Sequence, residues 1–434
     1  MKRSHFLCGG FAALLSSASA WAAVPAYTGL EPQARSNLLV NDEGWNLPPG
    51  TSFNSISANI NDEGEVAFTA GLVPIGGDLS RTGAGLWLGS HGQGQIVAIH
   101  EPPPGGDPSE PPTMLISDRP GMNNLGQIVY YTSVDGGTYT LRKYDPATGE
   151  SQPVSLLPLT PSAIANPEIT DEGTIGFKGR LGLGYGIATV SNGQATLLAV
   201  DTSVDETSGY AYIYSPATSG TGKIAVKVST SDYSHNEIRL FAGTNDSQLL
   251  VADRATDPAS PFASFDNGLG VNKDGAIAVA VKLADGNVRA VYRFTPGASG
   301  VEATEIARVD PAGTIRDIET FAPAINDEGL VVFRAKDENG QAIYAGDGTG
   351  LVRIVGKGDT VAIDLGQAQI GQHDDSPIFS GTPAVNNHGD VAFVAGVHPQ
   401  GDNQTEWGSA VFVAYAERAA DDVVFKDGFE LPES

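Results

Sequence analysis

The chain has 434 residues, 41% of them apolar, and sets 51 acidic side chains against 25 basic ones for a formal net charge of −26. That excess of negative charge repels nucleic acid and anionic lipid headgroups, so neither is expected as a partner. Its 54 glycines and 27 prolines stop short of a low-complexity composition, and the apolar content is enough for a large core.

At the amino end Lys2 and Arg3 precede the apolar run "FLCGGFAALLSSASA" and a group of small residues. This reads as a secretory signal peptide over residues 1–22, cleaved after Ala20 or Ala22. The run is too short to span a bilayer, and no later stretch is longer and more apolar, so no membrane insertion is expected. The one cysteine, Cys8, lies inside this leader. The exported chain is therefore expected to carry no disulfide and no cysteine-bound metal.

From there on the chain repeats itself. "INDEGEVAFTA", "MNNLGQIVYYT", "ITDEGTIGFKG", "TSGTGKIAVKV", "VNKDGAIAVAV", "INDEGLVVFRA" and "VNNHGDVAFVA" align on Gly64, Gly126, Gly173, Gly222, Gly275, Gly329 and Gly389. The intervals average about 54 residues, and a fixed period of this size marks a repeat architecture. Asn opens five of the copies, Thr170 the third and Ser219 the fourth. Each of these types can bond its own backbone nearby and open a tight turn, and glycine supplies the positive φ that closes it. The strand that follows is apolar on both faces, as a strand sandwiched between neighbours is.

An interval of this length holds four short strands and their loops. Helical periodicity is nearly absent, so the pattern predicts an all-β, seven-bladed propeller of four-stranded antiparallel blades over residues 23–420, with a short tail over 421–434. The last repeat lacks a fourth strand, and "SNLLV" at Ser36–Val40 resembles the fourth strands of other repeats. That stretch is expected to pair into the last blade and close the ring. "VNDEGW" at Val40–Trp45 copies the turn but no apolar strand follows it, so it is not a repeat.

Asn61-Gly64-Ala67-Phe68 and Asn386-Gly389-Ala392-Phe393 resemble the tandem NxxGxxAF repeats of a family of exported bacterial proteins with varied anchoring ends. The resemblance implies export and a repeat architecture, and brings no catalytic residues. The fourth copy departs from it, lacking both Asn and Phe. The tail "VVFKDGFELPES" looks like short ends on some exported Gram-negative proteins, which places the chain in the periplasm, on the cell surface or in the medium.

For chemistry, the acidic turn residues Asp62, Glu63, Asp327 and Glu328 lack the ligand alternation of a calcium loop. The opposite rim carries the longer loops, "EPPPGGDPSEPPT" and "DTVAIDLGQAQIGQHDDS", and loop length points to function. His373, Asp374, Asp375, His398, Trp407 and Trp45 all fall on that rim near the last blade. Two tryptophans beside carboxylates suit a glycan or a protein ligand, or else they cover the seam of the ring. His373 and Asp374 are neighbours in an extended stretch and point to opposite sides, so a shared metal is not expected. No phosphate loop, nucleophile elbow or zinc helix motif occurs. The reading is a monomeric, non-enzymatic binding propeller without metal or cofactor. A carbohydrate-active hydrolase or lyase with paired rim carboxylates, and a passive surface protein, are the alternatives.

Overall fold

A computed structural model describes residues 24–36, 44–48, 51–52, 56–72, 83–103, 113–230, 233–372 and 377–418. The leader, the tail and residues 37–40 lie outside the described residues. No helix occurs among the described residues, and the strands form seven antiparallel sheets arranged as the seven blades of a propeller.

The third blade shows the plan. Its strands Ile164–Ile169, Ile175–Leu181, Gly184–Ser191 and Gln194–Val200 pair in chain order. Asn192 and Gly193 both take positive φ at the last hairpin, as a two-residue turn matched to strand twist requires. The first strands of all seven blades contact one another in a closed cycle, the seventh meeting the first, so they line the axis. The second strands are buried on both faces, as in Ile224–Ser229, and core clusters bridge adjacent blades. Burying such side chains contributes roughly 1.5–3 kcal/mol each.

The seven motif turns are alike. In every copy the glycine N–H donates to the carbonyl of the first turn residue at 2.8–3.1 Å, with φ between +70° and +87°. The side-chain oxygen of that first residue accepts the N–H four positions on, at 2.8–2.9 Å for the five asparagines and 3.1–3.2 Å for Ser219 and Thr170. Asparagine then does more. Nδ2 of Asn123, Asn272, Asn326 and Asn386 donates to the turn carbonyl of the next blade, at Thr170, Asn326, Asn386 and Asn61. The second turn position adds a parallel set, in which Asn124, Asp171, Asp327, Asn387 and Asp62 accept the N–H of the preceding blade's turn.

A second set of links sits five residues beyond four of the motif glycines. Thr69 Oγ1, Lys178 Nζ, Lys227 Nζ and Arg334 Nη1 donate to carbonyls of Ser117, Ile213, Phe265 and Gly381 in the next blade. These cations interrupt otherwise apolar strands and are buried. Burial pulls the Lys178 ammonium down to about 8, with Asp201 opposing the shift. Aromatic faces offset part of the cost, with Lys178 4.2 Å from the Tyr185 ring centre and Arg334 3.7 Å from that of Phe321.

The ring closes through the amino-terminal strand, but earlier in the chain than expected. Tyr27–Arg35 pairs antiparallel with Ser409–Ala416, and of the expected stretch only Ser36 is described, its N–H bonding Ser409 O at 2.8 Å. Gly29 and Pro32 disguise this strand in the sequence, yet an outermost strand tolerates proline because one side needs no donor. The "DTVAIDLGQAQIG" loop is also more regular than expected. Thr360–Ile363 and Gly366–Ile370 form a hairpin whose second strand pairs with residues 397–399. Asp364 at its tip grips buried Arg35 in a two-point contact of 2.9 and 2.8 Å, while Arg35 Nη1 donates to Ser36 O and Trp407 O.

Asn326→Ala removes both an acceptor within its turn and a donor to the next blade, and is expected to cost about 2–3 kcal/mol, against about 1 kcal/mol for Ser219→Ala. Equal shifts in urea unfolding would remove the inter-blade role of the amide. Arg35→Ala leaves the Asp364 charge unpaired and is expected to cost about 3–5 kcal/mol. Deleting the tail from Asp421 is expected to leave the unfolding midpoint where it is.

Candidate site in the central channel

Each first strand is broken or bulged midway, at about residues 56–58, 117–120, 166–167, 214–216, 266–268, 319–323 and 381–383. Five copies carry the signal in sequence, with Pro120, Pro167, Pro216, Pro323 and Pro383 each three residues before the turn opener. Proline has no N–H for the ladder, so the strand parts from its neighbour there. The breaks turn backbone and side chains towards the axis.

Two cavities of about 320 and 330 Å³ follow the axis, one at the breaks and one at the motif turns, and all seven blades contribute to each. Among the described residues only Arg119 and Glu168 line both, so they form the waist of the channel. Both stand at positions where other blades are mostly small. Aligned with Arg119 are Ser57, Asn166, Ser215, Gly268, Ala322 and Thr382; aligned with Glu168 are Asn59, Gly121, Ala217, Gly270, Ala324 and Ala384. Packing enforces the small choice at Gly121, where a Cβ would lie 2.6 Å from the Glu168 Cα.

Arg119 Nη1 lies 3.8 Å from Glu168 Oε1, a loose ion pair. Glu168 Oε2 accepts the Thr218 N–H from the fourth blade. Removal from water pushes the Glu168 carboxyl up, against the opposing pull of Arg119 and that N–H. Desolvation also raises the neighbouring Asp118. Three buried side-chain atoms around the channel, Ser117 Oγ, Arg119 Nε and Thr218 Oγ1, have no hydrogen-bond partner among the described residues. Such atoms are rare in folded proteins and call for an explanation.

Residues 32–145 and 182–433 match the model of DUF7453, a family of unknown function. The chain belongs to that family. No curated protein matches it in sequence. Among solved structures it is similar to TolB from Acinetobacter baumannii, at 15% identity over 68% of this chain and 62% of that one, with a TM-score of 0.40. A structure from an analysis of two prolyl endopeptidases matches at 13% identity over 83% of this chain and 50% of that one, with a TM-score of 0.47. A calcium-binding protein, regucalcin from Agrobacterium tumefaciens, matches at 15% identity over 68% and 88%, with a TM-score of 0.34. The chain thus spans less than two thirds of the first two. At these values the likenesses carry no argument about function.

Those site residues expected from sequence that are described lie away from the channel. Trp45 exchanges main-chain hydrogen bonds with Arg35, and its ring tip sits over Gly92. Trp407 packs on the core between the sixth and seventh blades and gives its carbonyl to Arg35. Both tryptophans therefore meet the seam. His398 is buried, its Nδ1 within 2.9 and 3.1 Å of the carbonyls of Pro399 and Asp402. It lines a separate cavity of about 490 Å³ with Gln369 and Gln404, to which neither tryptophan contributes. His373, Asp374 and Asp375 lie outside the described residues. On the turn face, Asp62 receives the N–H and amide of Asn387 at 2.7 and 2.9 Å, which engages its carboxylate in the ring.

Glu168→Gln tests the waist. A carboxyl raised in the folded state binds more protons there than in the unfolded chain, so its burden on stability grows as pH rises from about 4.5 through the folded value. The variant is expected to gain stability over the parent, and to gain more at pH 7.5 than at pH 5, as read by thermal unfolding. A pH-independent difference would mean the carboxyl is not desolvated.

Proposed function

We propose that this chain is an exported, non-enzymatic binding propeller whose ligand enters the central channel from the rim of the longer loops. The observation that supports it best is the pair of charges at the waist. Five blades place only small or uncharged residues at these inward positions and close the ring without a charge, so packing has no need of Arg119 and Glu168. Placing two charges in a confined channel, their side chains only 37% and 23% exposed, costs free energy, and polar atoms left without partners add to it. A ligand that completes those contacts accounts for both. Export is supported by the leader and by the resemblance to NxxGxxAF repeat proteins.

A second reading, a carbohydrate-active hydrolase or lyase, is favoured by one observation. Asp118 and Glu168 are two carboxyls on one cavity, both raised by desolvation, a combination met at acid–base sites.

The test is a glycan and peptide array probed with the parent protein and with Ser215→Trp, which fills the channel mouth without removing any hydrogen bond described above. Binding by the parent that the variant loses is the expected result. Binding that survives the variant places the ligand elsewhere. Turnover of any bound glycan would replace the binding reading with the enzymatic one.

A further inference from the structure

The field along the channel narrows the class of ligand. Asp62, Asp118, Glu168, Asp171, Glu172 and Asp327 line the two cavities, against only Arg119 and Lys273. Lys273 is engaged by Asp327 at 3.5 Å and Arg119 loosely by Glu168 at 3.8 Å. The whole chain carries a net charge of −26. Such a surface draws cations towards a low-dielectric opening and slows the approach of anions.

The unpartnered atoms add a second, independent demand. Ser117 is only 2% exposed, lies in the wall of the mouth, and its Oγ has no partner among the described residues. Arg119 Nε, at the waist, is also buried without one. A guanidinium N–H only donates, and a hydroxyl donates readily, so the pair calls for an acceptor oxygen on the ligand. The carboxylates of Asp118 and Glu168 only accept, and call for a donor that carries charge. At about 320 Å³ the mouth is at the small end of ligand sites. It takes a chain end or one small molecule, and no folded segment.

We infer that the channel binds a protonated primary amine with an acceptor oxygen close beside it, the amine meeting Asp118 and Glu168 and the oxygen meeting Arg119 and Ser117. The amino end of a peptide and an amino sugar both have this chemistry. The inference rests on the channel reading above.

Isothermal titration calorimetry with trialanine, N-acetyl-trialanine, glucosamine and N-acetylglucosamine separates the two sources and the role of the charge. One free amine is expected to bind, and its acetylated form to bind at least about tenfold more weakly. Glu168→Gln and Arg119→Gln are expected to weaken binding by a similar factor. Asp285→Asn removes the same unit of charge from a carboxylate 96% exposed on the surface, and is expected to change nothing. Acetylated forms that bind as well as free ones overturn the amine class, while their loss in Ser215→Trp would keep the channel. Free amines that bind Ser215→Trp and Glu168→Gln as well as the parent overturn the class and the channel together. The absence of millimolar binding for all four overturns the amine class, and a hit from the array lost in Ser215→Trp would still keep the channel.

Discussion

One carboxamide group sets the geometry of this ring. In four of the five copies that open on asparagine, its oxygen fixes the turn and its nitrogen holds the next blade, while Asn61 Nδ2 donates to Glu65 instead. Thr170 and Ser219 perform the first task with a hydroxyl but make no bond to the next turn, so the turn survives while the link is lost. The recurrence of the turn motif is therefore the signature of a junction as much as of a hairpin. A planar group with separate donor and acceptor ends is the smallest side chain that can do both.

With the turns locked at one end of the axis, the first strands are free to part from their neighbours halfway along. The buried cations at Lys178, Lys227 and Arg334 hold those openings by satisfying carbonyls that the ladder has abandoned. An unpaired buried carbonyl would cost free energy comparable to a lost hydrogen bond, so these links and the breaks depend on each other. The channel mouth exists because the strands break, and Arg119 and Glu168 have room there because their neighbours in the ring are small.

The architecture was legible because each repeat carries its own turn chemistry at a recurring glycine, and the double-sided apolar strands announce burial between blades. The closing strand was not, because Gly29 and Pro32 break the alternation that marks a strand, and only its outermost place in the sheet makes them harmless. The hairpin ending in Asp364 was hidden by its length, too short for periodicity to rise above a loop. The bonds of Lys178, Lys227 and Arg334 were not legible either, because their acceptor carbonyls come from the next blade. Arg119 and Glu168 belong to segments that differ in every blade. Only alignment on the turn openers shows them as the two large charged residues among small ones, and their meeting depends on how two neighbouring blades pack side by side.

The side-chain links on the turn face are unevenly distributed around the ring. They join the first blade to the second, the second to the third, and the fifth round to the first again. The fourth blade presents Gly220 and the fifth Lys273 where the others present an acceptor, and among the described residues the fourth turn reaches its neighbours through the Thr218 N–H to Glu168 and through Thr221 to Lys273 O at 3.3 Å. The seam, where Glu31 and Tyr415 meet from 384 positions apart, is by contrast heavily bonded. Deeper in the sheets Lys178 and Lys227 bridge both flanks of the fourth blade, so that blade is held to its neighbours mainly below the turns rather than through them. The hoop is thus clamped where the two ends of the chain meet and most sparsely laced, on its turn face, half a circuit away.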